Sequence, residues 1–147
     1  LQSDVMAGLE RLLDRLCAVD ASRACCETRV GARHALLLDG EGNLPGWVGI
    51  ELMAQTIAAW AGMQGRLRGE PVRIGMLLGT RKYRCQPTRF AAGALLTIEA
   101  SCLLQDGGMA SFECRILQDG RECATARLST YQPAPGELSD LLAKDVS

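Results

Sequence analysis

One charged residue, Glu51, interrupts an apolar stretch that runs over residues 44–62 (LPGWVGIELMAQTIAAWAG). Burying a carboxylate costs several kcal/mol unless a partner or a proton neutralises it. Gln55 follows four residues later, and side chains four apart share one face of a helix. Glu51 is therefore either a polar group at the edge of the core, held by Gln55 or by a loop, or a buried catalytic carboxylate, a setting that suits a general acid.

The residues just before Glu51 give the catalytic interpretation its weight. Gly46 and Trp47 stand at the predicted start of the helix, directly after Pro45. Backbone N–H groups are unpaired at a helix start, the helix dipole is positive there, and glycine lets a ligand approach the backbone closely. A thioester carbonyl at that place would be polarised, and an enolate forming on it would be stabilised. Glu51 would lie about one turn further along the helix, within reach of the same ligand.

His34 is the only histidine in the chain and precedes the helix. A single histidine is most often a surface residue or a polar group satisfied by its neighbours. Removal of a carbon-bound proton at neutral pH, however, needs a base whose pKa is near 7, and histidine is the usual one. The sequence leaves both interpretations of His34 open.

The stretch that carries these residues has the period of a helix from Gly46 to about Arg68. Pro45 is a start signal, and Gly69 followed by Pro71 is a stop signal. A helix of that length is about 30 Å long, and because it is apolar around most of its circumference other elements must wrap around it. Its apolar positions at i, i+3 and i+4 spacings are Trp47, Ile50, Ala54, Ile57, Ala58 and Ala61.

Strand-like runs supply those surrounding elements. Alternation of apolar and polar residues predicts antiparallel strands, and Asp106-Gly107-Gly108 and Asp119-Gly120 predict tight hairpin turns between them. The runs cover residues 23–31 before the helix and residues 72–85, 94–106, 108–120 and 121–133 after it.

The sequence at each end of the chain is compatible with more than one local structure. The apolar positions of residues 3–17 have a helical period, but residues 11–20 (RLLDRLCAVD) would serve equally as the first strand of the sheet. After Pro133 and Pro135 the segment 134–147 is expected to be a short surface helix or a frayed end.

One long apolar helix with an antiparallel sheet against it predicts an α+β layer fold. A single sheet curled around a central helix is the hotdog arrangement. We expect one hotdog domain over residues 1–147, with a core at about 9–133 and a C-terminal tail at 134–147. The edges and the open face of such a sheet usually need a partner, so a dimer is expected.

Composition excludes several classes of function. A formal net charge of -1 and an aromatic content of 4% argue against a nucleic-acid binder that relies on a basic surface. Seven cysteines without a CxxC pair, together with one histidine, do not predict a metal site, and we expect reduced thiols in a cytoplasmic protein. No leader peptide is predicted, and Glu51, Gln55 and Gln64 argue against a membrane span at the apolar stretch.

The segment PGWVGIELMAQ (45–55) resembles the PG-x(4)-E-x(2)-AQ motif of the 3-hydroxyacyl-acyl carrier protein dehydratases, which have the hotdog fold. The segments LPGWVGIELMAQTIAAWAG, GEPVRIGMLLGTRKY, SFECRI and ARLSTYQP together resemble, more closely, the dehydratase-like proteins of bacterial aryl-polyene gene clusters. The resemblance covers the chain from about Leu9 to Pro133. It implies that residues 11–20 form a strand, which we expect in preference to the helix that the periodicity favours.

The resemblance implies roles for the candidate residues. Glu51 matches the acidic catalytic residue, Gly46 and Trp47 match the amides that bind the thioester oxygen, and Gln55 matches the glutamine of the motif. His34 would be the base that takes the proton from C2 of the substrate. Two departures stand beside these matches. The family's H-F-x-G-x-P-x-x-P-G segment is replaced by HALLLDGEGNLPG, and Met6 stands where the related cluster proteins have the histidine of an L-P-H segment.

The implied activity is the dehydration of 3-hydroxyacyl thioesters on an acyl carrier protein to trans-2-enoyl thioesters, in fatty acid or polyene-type biosynthesis. The substrate would be carried on the phosphopantetheine arm, and neither a metal nor a bound cofactor would be required. Arg81, Lys82 and Arg84 would meet the acidic carrier protein, although a solvated strand face explains them equally well. The acyl chain would run along the helix past Met53, Ile57, Met76 and Leu78.

Two other functions fit the same fold. The departures around His34 and Met6 would suit a non-catalytic hotdog subunit that pairs with an active dehydratase and stabilises it. A hotdog thioesterase would use a carboxylate on the same helix with water as the nucleophile, and would release a free acid. The sequence leaves open whether the dimer contains two copies of this chain or a different hotdog protein.

Overall fold

The structure is a computed structural model that describes residues 11–70, 75–134 and 137. Within these residues one long helix, α1 (Val48–Leu67), lies against a six-stranded antiparallel sheet. The sheet has the strand order β1-β2-β6-β7-β8-β4, and β3 and β5 form a separate two-stranded sheet. The strands are β1 (Arg15–Val19), β2 (Arg23–Arg29), β3 (Leu44–Pro45), β4 (Met76–Cys85), β5 (Arg89–Phe90), β6 (Leu95–Asp106), β7 (Met109–Gln118) and β8 (Arg121–Tyr131).

The core lies between α1 and the inner face of the sheet. On β6, Leu96 and Ile98 are fully buried, whereas Glu99 belongs to the outer face, as the two-residue period of a strand requires. From the helix, Trp60 contacts Phe112 of β7 edge to face, with ring centroids 5.4 Å apart, which is a favoured aromatic geometry. A sheet that packs around one helix in this way is the predicted hotdog arrangement.

The local predictions are confirmed where the structure describes them. The helix expected from Gly46 to about Arg68 runs over Val48–Leu67. Both hairpin turns lie where glycine follows aspartate, and Gly107, Gly108 and Gly120 all have positive φ values.

The N-terminal strand is also confirmed, and the helical period of this stretch is misleading. β1 pairs with β2 at one edge of the sheet, and because β1 is an edge strand it mixes exposed and partly buried positions. Its apolar residues therefore do not alternate cleanly. Residues 1–10, Met6 among them, lie outside the described residues, as do 135, 136 and 138–147 of the predicted tail.

No helix among the described residues is both long enough and apolar enough to cross a membrane. In the same part of the chain no three His, Cys, Asp or Glu side chains are grouped so that they would hold a metal ion. All seven cysteines are reduced, and burial raises the pKa of Cys26 to about 11 and that of Cys114 to about 12. These two thiols are therefore neutral at physiological pH and pack as small apolar groups.

Candidate active site

Gly46 is a glycine because the backbone of Thr88, the residue directly before β5, leaves no room for a side chain. A β-carbon at this position would lie 2.5 Å from the carbonyl oxygen of Thr88. The N–H of Gly46 donates to that same oxygen at 2.8 Å. The Gly46 amide is therefore occupied inside the protein, and the prediction that it binds a thioester oxygen is not supported by its geometry.

The unpaired amides lie one and two residues further along. Among the residues that the structure describes, the N–H groups of Trp47 and Val48 have no acceptor. They precede the first intrahelical hydrogen bonds of α1, where unpaired donors and the positive end of the helix dipole coincide. The Trp47 side chain beside them is 62% exposed. The donor pair that this geometry offers is thus Trp47 and Val48, rather than Gly46 and Trp47.

The carbonyl of Gly46 is held as firmly as its amide. The hydroxyl of Tyr83, on β4, donates to this oxygen, and the N–H of Gly49 donates to it at 3.0 Å. Both polar backbone atoms of Gly46 are thereby fixed by residues of the chain itself. Sequence reasoning did not single out Tyr83 or Thr88, and the only sequence signal for Tyr83 was its place at the end of the LLGTRKY segment.

Glu51 is exposed, so the prediction that it is a buried carboxylate is wrong for this chain. The sheet covers one face of α1, where Leu52 and Met53 are fully buried, and Glu51 belongs to the opposite face together with Trp47 and Ala58. A carboxylate in water needs no partner, so Glu51 does not incur the free-energy cost of burying a charge that the apolar sequence around it suggests. Among the described residues, Glu51 is thus an exposed carboxylate one turn beyond two amides that have no acceptor.

Gln55, in contrast, is buried, with 5% of its surface exposed. Its Oε1 accepts the backbone N–H of Leu12 at 2.9 Å. The glutamine of the family motif thus fixes the segment that leads into β1, which is the strand at the edge of the sheet. This contact makes Gln55 a residue that holds the fold beside the site.

His34 is completely buried, and both of its ring nitrogens are occupied. The N–H of Gly31 donates to Nδ1 at 3.2 Å, so Nε2 carries the proton and donates to the carbonyl oxygen of Leu12 at 2.9 Å. The hydroxyl of Thr28 lies 3.2 Å from the same nitrogen. A neutral imidazole has one donor and one acceptor, and here the backbone takes both. This arrangement gives no support to His34 as the base, a role that the resemblance implies.

Arg81, Lys82 and Arg84 are exposed on β4. Within the described part of the chain, no ion pair joins any of the three to a carboxylate. Tyr83, which lies among them, points inward to the helix start. The three cations therefore flank the strand residue that contacts Gly46.

The residues predicted to line the acyl chain lie in different surroundings. Met53 and Ile57 belong to the core of the single chain, Met76 is half-buried, and Leu78 is 54% exposed. None of them lines the cleft that the structure shows between α1 and the β1 edge. That cleft is lined by Arg11, Leu13, Arg15, Leu16, Cys26, Gln55, Ala58 and Ala59. The assignment of the acyl path therefore stays a prediction.

Comparison with known families decides the relationship. The family model described as "ApeP-like: ApeP dehydratase" matches residues 7–143. The chain belongs to the ApeP-like dehydratase family. The predicted resemblance to the dehydratase-like proteins of aryl-polyene gene clusters is thereby confirmed.

Among solved structures, the ApeP-like chain is similar to the dehydratase heterocomplex ApeI:P from Xenorhabdus doucetiae, with 39% identity over 90% of each chain and a TM-score of 0.84. More distant likenesses show the fold alone. A hypothetical thioesterase from Streptococcus pneumoniae is 16% identical over 82% of this chain and 88% of its own, with a TM-score of 0.65. The phenylacetic acid degradation protein PaaI from Thermus thermophilus is 17% identical over 88% and 99%, with a TM-score of 0.65. A search of curated proteins found no match.

The site of this ApeP-like dehydratase family member thus contains only part of the chemistry that the sequence predicts. The helix start presents two amide donors at Trp47 and Val48, with Glu51 one turn beyond them. His34, the single histidine of the chain, is buried in the interior, and both of its ring nitrogens are hydrogen-bonded to backbone groups.

Proposed function

We propose that this chain takes part in the dehydration of 3-hydroxyacyl thioesters, carried on an acyl carrier protein, to trans-2-enoyl thioesters. In this proposal it is one subunit of a pair of hotdog chains. The observation that carries the proposal is the exposed position of Glu51 on α1, one turn after the amides of Trp47 and Val48, which have no acceptor within the part of the chain that the structure describes. A carboxylate and an anion-binding helix start are the two groups that this reaction needs from one side of the substrate.

The reaction follows from that placement. A base takes the proton from C2, and negative charge develops on the thioester oxygen, where the amides of Trp47 and Val48 stabilise it. The C3–O bond then breaks, and Glu51, which enters this step protonated and covered by the substrate and the second chain, gives its proton to the departing hydroxyl, which leaves as water. The proton held by the base returns to Glu51 through solvent before the next turnover. The substrate has lost one water, and both protein groups are restored.

In this proposal the base comes from the second chain. The acceptor nitrogen of His34, Nδ1, accepts the N–H of Gly31, and this hydrogen bond would have to break before the ring accepted a proton; the ring is also fully buried, and its Nε2 donates to Leu12. The open face around Trp47 and Glu51 is where another hotdog chain would bring an imidazole to the opposite side of the substrate. The similarity to a chain of a dehydratase heterocomplex supports a partner of this kind.

A carrier protein would approach along β4. Arg81, Lys82 and Arg84 are exposed and have no acidic partner among the described residues. They flank Tyr83, which contacts the helix start, so an acidic surface or a phosphate bound there would lie beside the thioester site.

A second candidate function is supported by the same histidine. If the chain is a non-catalytic subunit, the buried and fully bonded His34 is simply structural. The face with Trp47 and Glu51 would then be covered by an active partner, and Glu51 would contribute to the interface rather than to the reaction.

The experiment that tests the proposal is intact-protein mass spectrometry. It follows the loss of water from a 3-hydroxyacyl carrier protein and, in the reverse direction, the addition of water to the trans-2-enoyl carrier protein. The chain is incubated alone and with each of the two chains of the Xenorhabdus doucetiae heterocomplex. Glu51→Gln is compared with Glu113→Gln, which changes the charge of another exposed carboxylate, on β7. We expect water loss in a two-chain mixture and a decrease of about 10²–10⁴-fold with Glu51→Gln only. Full activity of a Glu51→Gln complex would instead establish the non-catalytic role.

A further inference from the structure

A bulge in β4 changes the direction of Tyr83. Arg81 pairs with Arg127 of β8 and Arg84 pairs with Thr125, so that Lys82 and Tyr83 together stand opposite one residue of β8. Lys82 has a φ of 56°, a left-handed conformation that a lysine seldom adopts. Bulges often occur beside active sites, where they change the direction of a side chain.

The bulge brings the Tyr83 hydroxyl to the start of α1. The hydroxyl donates to the carbonyl of Gly46, and it occupies the space in which a β-carbon of Gly49 would lie. Gly49 is therefore a glycine because a side chain at this position would collide with the tyrosine hydroxyl. Two separate features of the sequence, a glycine in the first turn of the helix and a bulge in a strand, serve the same contact.

We propose that Tyr83 is a positioning residue for the dehydration, a role that rests on the proposed function above. Its hydroxyl holds the Gly46 carbonyl while the Thr88 oxygen holds the Gly46 amide. With both of these atoms fixed, the following N–H groups, those of Trp47 and Val48, keep one direction toward the thioester oxygen. Donors that are oriented in advance need no reorganisation when charge develops on that oxygen.

The hydroxyl can fulfil this role throughout the working pH range. Burial and the neighbouring Cys85 raise the pKa of Tyr83 well above its ordinary value. The group therefore remains a donor, and the pH dependence of the reaction is not set by its ionisation.

Tyr83→Phe tests the inference, because it removes only the hydroxyl that contacts Gly46 and keeps the aromatic ring. In the active two-chain complex we expect kcat to fall about 10–100-fold while KM for the carrier-bound substrate changes less than about twofold. Amide hydrogen exchange over residues 44–52 should become faster. Tyr131→Phe is the matched control. Tyr131 lies on β8 opposite Met76, the first residue of β4, and its hydroxyl donates to Glu137.

The outcomes separate the positioning role from its alternatives. A purely structural tyrosine would lower the melting temperature without changing kcat at low temperature, and unchanged kcat would refute the inference. If the wild-type complex removes no water, the proposed function fails and the positioning role for that reaction fails with it. The contact between Tyr83 and Gly46 is then judged by hydrogen exchange alone, and unchanged exchange over residues 44–52 would refute it as well.

Discussion

Gln55 and His34 hydrogen-bond to the two polar backbone atoms of the same residue, Leu12. Gln55 accepts its N–H at 2.9 Å, and His34 donates to its carbonyl at 2.9 Å. Leu12 is almost fully buried and leads into β1. Two residues that the sequence suggests for catalysis thus satisfy buried backbone groups that would otherwise be costly to enclose.

Gln55→Ala should therefore destabilise the fold. The buried N–H of Leu12 would lose its acceptor, which costs about 1–3 kcal/mol in the free energy of unfolding. Gln64→Ala is the matched control, because Gln64 donates to the carbonyl of Asp20 at an exposed site, where water can replace it. Urea unfolding of both variants measures the difference. Equal losses would show that the contact with Leu12 contributes nothing special.

His34→Ala should lower stability and leave the chemistry intact. Removal of a buried ring leaves a cavity and two unsatisfied backbone groups, at Gly31 and Leu12, so we expect a loss of at least about 2 kcal/mol. The rate of water loss in the two-chain complex, corrected for the folded fraction, should change less than about threefold, far below the effect of losing a catalytic base. A decrease of about 10²-fold or more at full folding would restore His34 as the base.

Asp39 should make the loop before the helix sensitive to acid. The backbone N–H groups of Asn43 and Glu41 donate to its carboxylate and lower its pKa, with a smaller contribution from Arg89. A lowered pKa in the folded state means that the stabilisation is present above the ordinary pKa of about 4 and is lost as the pH falls through the folded value.

Asp39→Asn isolates that effect, because an asparagine oxygen still accepts backbone hydrogen bonds but carries no charge. The difference in unfolding free energy between wild type and variant should be largest near pH 7 and should shrink toward pH 3. Urea titrations across this range measure it. A difference that does not change with pH would contradict the role assigned to the charge.

The exposed cations of β4 should act on the carrier protein and not on the thioester. Replacement of Arg81, Lys82 and Arg84 by glutamine should raise KM for a carrier-bound substrate several-fold, with little change for the same acyl group on pantetheine alone. The effect should weaken as salt is added, because exposed charges are screened within about 10 Å at 0.1 M. Arg66→Gln with Arg68→Gln is the control at the far end of α1, about 30 Å away. An equal rise in KM for the control would show that the carrier protein responds to the net charge of the chain and not to the cations of β4.

Much of the fold could be predicted because it depends on local patterns. The helix follows from apolar residues at helical spacing between a proline and a glycine, and the hairpins follow from aspartate and glycine at the turns. The family follows from the PG-x(4)-E-x(2)-AQ segment, which covers the helix start and its first two turns. Each of these features depends on residues close together in the chain.

The roles of individual side chains depend on contacts that local patterns do not contain. Gln55 meets Leu12 across a separation of 43 residues, and Tyr83 meets Gly46 across 37. Which face of α1 the sheet covers decides that Glu51 is exposed and Gln55 buried, although both lie in one motif. The sequence by itself therefore determined the elements and the family, through local backbone preference and periodicity. Only the tertiary structure decided which polar groups are occupied by the fold and which remain open to a ligand, because hydrogen-bond partners are set by the packing of distant segments.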